Sequence, residues 1–290
     1  MKKNITIYLL LALACLGLQS CLFQEENYFD DSSANRATAD VNRCGELLKA
    51  APNGWVMEYY VSKDYSLGGI TLLCRFDGQR VTMASQMSEA DETVSSLYSV
   101  KSEQATMLSF DTYNYLVHYF GQPQGSMSDD PNGTLGGDYE FVISDATADR
   151  IELKGKKYGN RIVMKAFSAD QTWKQYLTRI KKVEDDAFFY EYDLRMDGLY
   201  TGQMLRSNYT FIVTYYDEVG KVYQKTVPFM FTTDGMRFHE PVTIDGQTMQ
   251  NFVWKNEEIS FVCTDEGATG VKMKGIYIDG YQSYDYYPGT

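Results

Sequence analysis

The residues whose types could do chemistry lie mainly in one loop and one tail. Ser128-Asp-Asp-Pro-Asn-Gly-Thr-Leu-Gly-Gly-Asp-Tyr-Glu140 gathers Asp129, Asp130, Asn132, Asp138 and Glu140 along a glycine-rich run. Hard oxygen donors of this kind suit Ca²⁺. The spacing is not that of an EF-hand, and a solvated loop is the commoner origin of such a cluster. Two carboxylates could also hydrolyse a glycoside, one as acid and the other as base or nucleophile. With 39 acidic residues any two can meet, so the pattern alone says little. In the tail, Tyr281, Tyr284, Tyr286 and Tyr287 follow Tyr277 and alternate with Asp, Gln and Ser. Ring faces that meet sugar C–H groups, beside polar groups that meet hydroxyls, make a carbohydrate site. The same alternation also reads as a closing strand.

Other chemistries find little material. The chain has two histidines. His118 falls in the aromatic run Tyr113 to Phe120, read as a strand, and His239 precedes Glu240-Pro241, read as a loop. A zinc site needs three or four convergent ligands, and His239-Glu240 does not continue as H-E-x-x-H. No G-x-S-x-G elbow supports a serine nucleophile. No phosphate-binding or dinucleotide fingerprint occurs, because the glycines sit in turns. No catalytic residue is therefore assigned.

The first residues carry an address. Lys2 and Lys3 precede an apolar stretch from Ile5 to Leu18, the layout of a secretory signal. It ends in Leu18-Gln19-Ser20-Cys21, which resembles a bacterial lipobox, and Cys21 is the expected lipidation site. Cys15 would leave a very short apolar core. Acyl chains contribute about 0.8 kcal/mol for each buried methylene, so several of them anchor firmly. Glu25, Glu26, Asp30 and Asp31 follow. They are similar to the acidic tags that route lipoproteins of Bacteroidota to the exterior of the outer membrane, although charge runs are more often a solvated tether.

The formal net charge is −12, and a cleaved leader takes two lysines with it. That opposes binding to a nucleic acid backbone. Cys44, Cys74 and Cys263 allow at most one disulfide and show no C-x-x-C spacing, so buried thiols are expected. The 24 tyrosines and 15 phenylalanines favour strands with half-buried faces.

These groups must be held by two helices and many strands. Ala34, Ala37, Val41, Cys44, Leu48 and Ala51 form one helical stripe, stopped by Pro52-Asn53-Gly54. A second helix is expected after a capping box at Ser168-Ala-Asp-Gln171, with Trp173, Tyr176, Leu177, Ile180 and Val183 on its apolar face. Trp55, Met57, Tyr59 and Val61 share one side of a strand. Asp77-Gly78 joins a hairpin, 139–144, 150–154 and 160–165 form a meander, and 209–216 and 222–227 continue the style. Asp234-Gly235 and Asp245-Gly246 are read as turns, and Pro228 breaks or edges its strand. The fold class is mainly β with two short helices (α+β), as antiparallel meanders in barrel- or sandwich-like sheets. Met107–Phe110 and Tyr139–Ile143 are like Met236–Phe238 and Asn251–Trp254, as two similar halves from a duplication would give, and as generic strand patterning would give too. The expected divisions are a lipoprotein signal (1–20), an acidic tether (21–31), and two helix-plus-meander units (32–168 and 169–290).

Ala51-Pro-Asn-Gly-Trp55, Phe110-Asp-Thr-Tyr-Asn114, Gly136-Gly-Asp-Tyr-Glu-Phe141 and Ile151 to Lys157 through Ile162 resemble an uncharacterised family of Bacteroidota outer-membrane lipoproteins. The resemblance implies an outer-membrane setting linked to nutrient uptake, and it carries over no catalytic residue. The expected function is a surface-anchored, non-catalytic accessory that binds a glycan or peptide for an uptake system. Its partners would be membrane lipid through Cys21, a glycan and outer-membrane uptake proteins. The alternatives are a carboxylate-based glycoside hydrolase, or a structural or adhesin subunit that binds another protein. No cofactor is expected beyond possible calcium at the acidic loop.

Overall fold

Alternation with a period of two sets the first strand. Trp55, Met57, Tyr59 and Val61 are all fully buried, and β1 (Trp55–Tyr60) carries the first three of them into one core. The structure, a computed structural model, describes residues 32–62, 64–123, 133–217 and 219–277. Two compact units divide the chain at Ala39, so that helix α1 (Ser33–Ala50) begins in the first unit. There Thr38 Oγ1 donates to the Ala34 carbonyl. The second unit, Asp40–Thr290, holds all that follows.

Eight strands form a first closed barrel. β1 is followed by β2 (Gly69–Phe76), β3 (Arg80–Ser85), β4 (Val94–Ser102), β5 (Thr106–Phe110), β6 (Glu140–Ala146), β7 (Arg150–Gly155) and β8 (Arg161–Ala166). Each is antiparallel to the next, and β8 returns to β1 with Met57 opposite Met164. The second barrel repeats this plan. It contains β9 (Glu191–Met196), β10 (Leu199–Ser207), β11 (Thr210–Tyr216), β12 (Val222–Phe231), β13 (Gly235–Ile244), β14 (Gln247–Lys255), β15 (Ser260–Cys263) and β16 (Val271–Ile276). β16 closes on β9 with Met273 opposite Leu194. An eight-stranded barrel is just wide enough for its own side chains. Met57, Phe110, Phe141 and Met164 fill the first, and Phe211, Phe229, Phe238 and Phe261 the second. Among the described residues no helix is long and apolar enough to cross a membrane.

The two halves start alike. Trp55 Nε1, at the head of β1, donates to the Leu48 carbonyl at 2.9 Å, near the end of α1. Tyr192 Oη, near the head of β9, donates to the Ala187 carbonyl at 2.8 Å, which caps helix α3 (Trp173–Asp186). Carbonyls at a helix C-terminus lack helical donors, and in both halves an inward aromatic ring supplies one. The local likenesses in sequence also fall on equivalent strands. Met107–Phe110 and Met236–Phe238 lie in the fifth strand of their barrels, and 139–143 and Asn251–Trp254 at the sixth.

Several expectations are corrected. The run Tyr113 to Phe120 is no strand: it contains the single-turn helix α2 (Tyr115–His118), because the Asn114 side chain accepts from the Leu116 N–H and caps it. Leu116, Val117 and Phe120 then turn into the first core. The capping box of α3 is Thr172 with Gln175, not Ser168 with Gln171. The Phe167 N–H donates to the Gly54 carbonyl at 2.8 Å and keeps the chain extended past β8. On α1 only Cys44, Leu48 and the following Ala51 bury the expected stripe, and Ala34 is exposed.

His239 is not in a loop but in β13, where the pairing to β14 shifts register between Arg237 and Val242. β12 runs through Pro228, which still pairs with Thr210 of β11. Its missing N–H faces β13, where pairing starts only at Phe229. Asp245-Gly246 has positive φ at both residues (49° and 74°), the type I′ turn of a tight hairpin. Asp197-Gly198 makes the same turn between β9 and β10. Cys44, Cys74 and Cys263 are buried free thiols.

α3 spans from one barrel to the other. Leu177 packs with Val56, Leu73 and Ala84 on the outside of the first, whereas Ile180 and Val183 enter the core of the second. Trp173 Nε1 donates to the Asn53 carbonyl at 2.9 Å.

Candidate functional site

In an up-and-down barrel the links after odd-numbered strands share one end. In the first barrel, three of these links enclose an open cleft of about 610 Å³. The β1–β2 link supplies Ser62, Asp64, Ser66 and Leu67, and the β7–β8 link supplies Tyr158. The segment leading into β6 supplies Thr134, Leu135 and Gly136.

The polar groups of the cleft are fixed by one another. Ser62 Oγ donates to Asp64 Oδ1 at 2.8 Å, and the Ser66 N–H donates to Ser62 Oγ at 2.9 Å. Hydrogen bonds from Ser62 and Ser66 hold the Asp64 carboxyl below the usual carboxylate range. At neutral pH Asp64 is therefore an acceptor, not a proton donor. The hydroxyls of Thr134 and Tyr158 share a hydrogen bond of 2.7 Å. The Lys157 ammonium lies 4.7 Å from the centre of the Tyr158 ring, and with Thr134 it lowers the Tyr158 pKa. The arrangement presents hydroxyls and one carboxylate, beside Leu67 and Leu135, around an open space.

Beneath the cleft, Asp138 acts as a brace. Its two carboxylate oxygens accept from the backbone N–H groups of Lys157 (2.8 Å) and Tyr158 (3.0 Å). Burial pushes its pKa up, against these bonds. Tyr59 Oη accepts from the Asp138 N–H at 2.6 Å and donates to the Asp138 carbonyl at 3.1 Å. Asn160 Nδ2 donates to the Gly136 carbonyl at 2.9 Å. The core ring of Tyr59 thus sets the height of the cleft wall.

An aromatic platform continues from the same segment. Tyr139, three residues beyond Gly136, stacks on His118 with ring centres 4.6 Å apart and planes within 18°. Tyr113 lies 5.5 Å from His118, with its plane tilted by 44°. Tyr113 is 64% exposed and Tyr139 42%, so the rings face solvent. The Asn114 N–H donates to His118 Nδ1 at 3.2 Å, and burial pushes the imidazole below its ordinary range.

Of the residues singled out in the sequence, Asp138 and Glu140 are described and do not converge. Glu140 points away to Lys101 (2.7 Å) and Lys156 (3.0 Å). Cys21, Asp129, Asp130, Asn132, Tyr281, Tyr284, Tyr286 and Tyr287 lie outside the described residues. Among the described residues no three His, Cys, Asp or Glu side chains are grouped to hold a metal ion. Sequence reasoning missed Ser62, Asp64, Ser66, Thr134 and Tyr158. The only local signal was the Ser-x-Asp-x-Ser spacing, which reads as an ordinary polar link.

A domain of unknown function, DUF4302, matches the chain over residues 25–256, and the chain belongs to that family. No curated protein matches it. Among solved structures it is similar to a botulinum neurotoxin type G receptor binding domain at 12% identity. That likeness covers 82% of this chain and 63% of the other, less than two thirds of its length, with a TM-score of 0.11. At that score it carries no argument.

Proposed function

We propose that this protein is a surface-held binding module whose cleft takes a hydroxyl-rich glycan as a non-catalytic accessory to nutrient uptake. Acylated Cys21 anchors it in the outer membrane of a bacterium of the Bacteroidota type, and the acids after Cys21 direct it to the cell exterior. The observation that carries the reading is that one segment, Thr134 to Tyr139, supplies a hydroxyl to the cleft and, at its end, the exposed Tyr139 ring that stacks on His118. Sugars need this combination, with polar groups for hydroxyls and ring faces for C–H surfaces. Binding is favoured over hydrolysis by the state of the acids: Asp64 is held ionised, and Asp138 is braced by two backbone donors.

A second reading is a subunit that binds another protein. It draws on the second barrel, where Leu199, Tyr200, Tyr216, Val219 and Val222 are all strongly exposed near one end of β10 to β12. Apolar residues grouped in this way commonly mark protein contacts.

A glycan and polysaccharide array probed with residues 22–290 separates the two. The binding reading expects a specific hit that disappears in the Tyr139→Ala variant. An array silent with well-folded protein would overturn it in favour of the second.

A further inference from the structure

The β1–β2 link that lines the cleft also faces the second barrel. Ser62, Asp64, Ser66 and Leu67 look into the cleft, whereas Tyr65 turns away and meets His239 of β13 with ring centres 4.1 Å apart. Tyr60, at the end of β1, meets the same imidazole at 4.2 Å. The imidazole therefore packs against two tyrosines of the other barrel, which also meet each other edge-on with ring centres 6.1 Å apart. The register shift in β13 between Arg237 and Val242 explains why His239 can reach them, since a bulge re-aims side chains. Pro241 falls within that shift, where it has no N–H to give a ladder.

The link needs to be held. Ser62 and Tyr65 adopt φ of 67° and 57°, in the left-handed region that costs a residue with a Cβ about 1–2 kcal/mol. Such backbone persists only where its surroundings fix it. At the far end of the link, Gly68 (φ 69°) lies against the Tyr209 carbonyl of the second barrel, where any Cβ would collide. The second barrel thus meets the link at Tyr65 and at Gly68, beside the link's own backbone bonds and the Tyr60–Tyr65 contact.

We propose that His239 is a positioning residue for the cleft: clasped by Tyr60 and Tyr65, it locks the β1–β2 link in the conformation that lines the site. This rests on the reading of the cleft as the ligand site and adds its control, since one barrel carries the site and the other sets its competence.

The clasp has a pH signature. Burial holds the His239 imidazole below its ordinary range. Glu240 opposes that shift, and Arg161 and Arg237 reinforce it. The remaining groups facing it are the rings of Tyr60 and Tyr65. A lowered pKa in the packed state means that the packed state prefers the neutral ring. The clasp is at full strength above about pH 6.5 and weakens as pH falls below that value.

Amide hydrogen exchange in a peptide covering residues 61–69, corrected for the intrinsic rate, tests this without any ligand. At pH 7.5 the wild type is protected, and at pH 5.5 exchange rises several-fold. His239→Ala exchanges roughly tenfold faster than wild type at pH 7.5, since ring pairs of this kind are worth up to about a factor of ten, and shows no further rise at pH 5.5. His239→Phe keeps the ring contacts without the titration and stays protected at both pH values. Exchange in β5 and β6 reports that each variant is folded. The proposal is overturned if His239→Ala protects the link as well as wild type does, or if His239→Phe keeps the pH response. A failure of glycan binding leaves these outcomes untouched, so the two readings fail separately.

Discussion

Replacing Glu58 by alanine is expected to lower stability by about 3–5 kcal/mol, the usual cost of leaving one member of a buried ion pair alone. Glu58 lies on β1, and its side chain is 14% exposed. Oε2 meets Arg237 Nη2 of β13 at 2.6 Å, and Oε1 meets Lys165 Nζ of β8 at 2.8 Å. The group therefore ties the two barrels together. Arg237 is itself only 24% exposed; Met230 Sδ lies 3.3 Å from its Nη2, and the Tyr60 hydroxyl also adjoins the guanidinium. Loss of Glu58 strands that guanidinium away from water.

Glu58→Ala combined with Arg237→Met should recover most of the loss, because it removes the less exposed of the two cations, while the Lys165 ammonium that also loses its partner is 44% exposed and can be hydrated. The pH dependence follows from the same contacts. Burial pushes the Glu58 pKa up, but Arg237 and Lys165 more than offset it, and the net shift is downward. The pair therefore contributes fully above about pH 4.5 and is lost as pH falls through the lowered value. Urea unfolding of wild type, single and double variants reads these terms. A single-variant change under about 1 kcal/mol, the range of exposed pairs, would contradict the account.

Trp55→Ala is the second large effect, about 3–5 kcal/mol as for other fully buried aromatic truncations. Trp55 is completely buried between α1 and the first core, and its indole N–H holds the Leu48 carbonyl. Alanine removes the ring and leaves that carbonyl without its donor. Trp55→Phe separates the two losses. It keeps most of the apolar volume, so the remaining cost of about 1–3 kcal/mol is that of the unsatisfied buried acceptor. If the Phe variant matched wild type in urea unfolding, the link between α1 and the barrel would rest on packing alone.

Local patterns in the sequence carried much of the fold. The alternation at Trp55, Met57, Tyr59 and Val61 and the hairpin at Asp77-Gly78 are decided within a few residues, and both stand in the structure. Barrel closure was not legible, because inward residues alternate in the same way in a sandwich. What closes the ring is the pairing of Trp55 with Ala166, more than a hundred residues apart. α2 was misread because its rings suit a strand, and only the bond between Asn114 and the Leu116 N–H shows the helix start. His239 was misread for the converse reason: Pro241 suggests a loop, yet here it sits in the irregular part of a strand.

The site was least legible of all. Asp138 was noticed for its charge, whereas its carboxylate serves the backbone of the β7–β8 link. Ser62, Thr134 and Tyr158 meet only because three links share one end of a barrel. Each looks like a routine turn residue in its own stretch. Tyr139 stood inside a flagged motif, but nothing in the sequence shows that it stacks on His118.

The most direct test of the cleft as the binding site is calorimetric titration of the oligosaccharide selected on the array into wild type, Tyr139→Ala, Tyr158→Ala and Tyr284→Ala. The account predicts a loss of at least roughly tenfold in affinity, about 1.4 kcal/mol, for the first two variants and none for Tyr284→Ala. Unchanged affinity in Tyr139→Ala and Tyr158→Ala, with binding abolished in Tyr284→Ala, would contradict it and move the site to the C-terminal tyrosines.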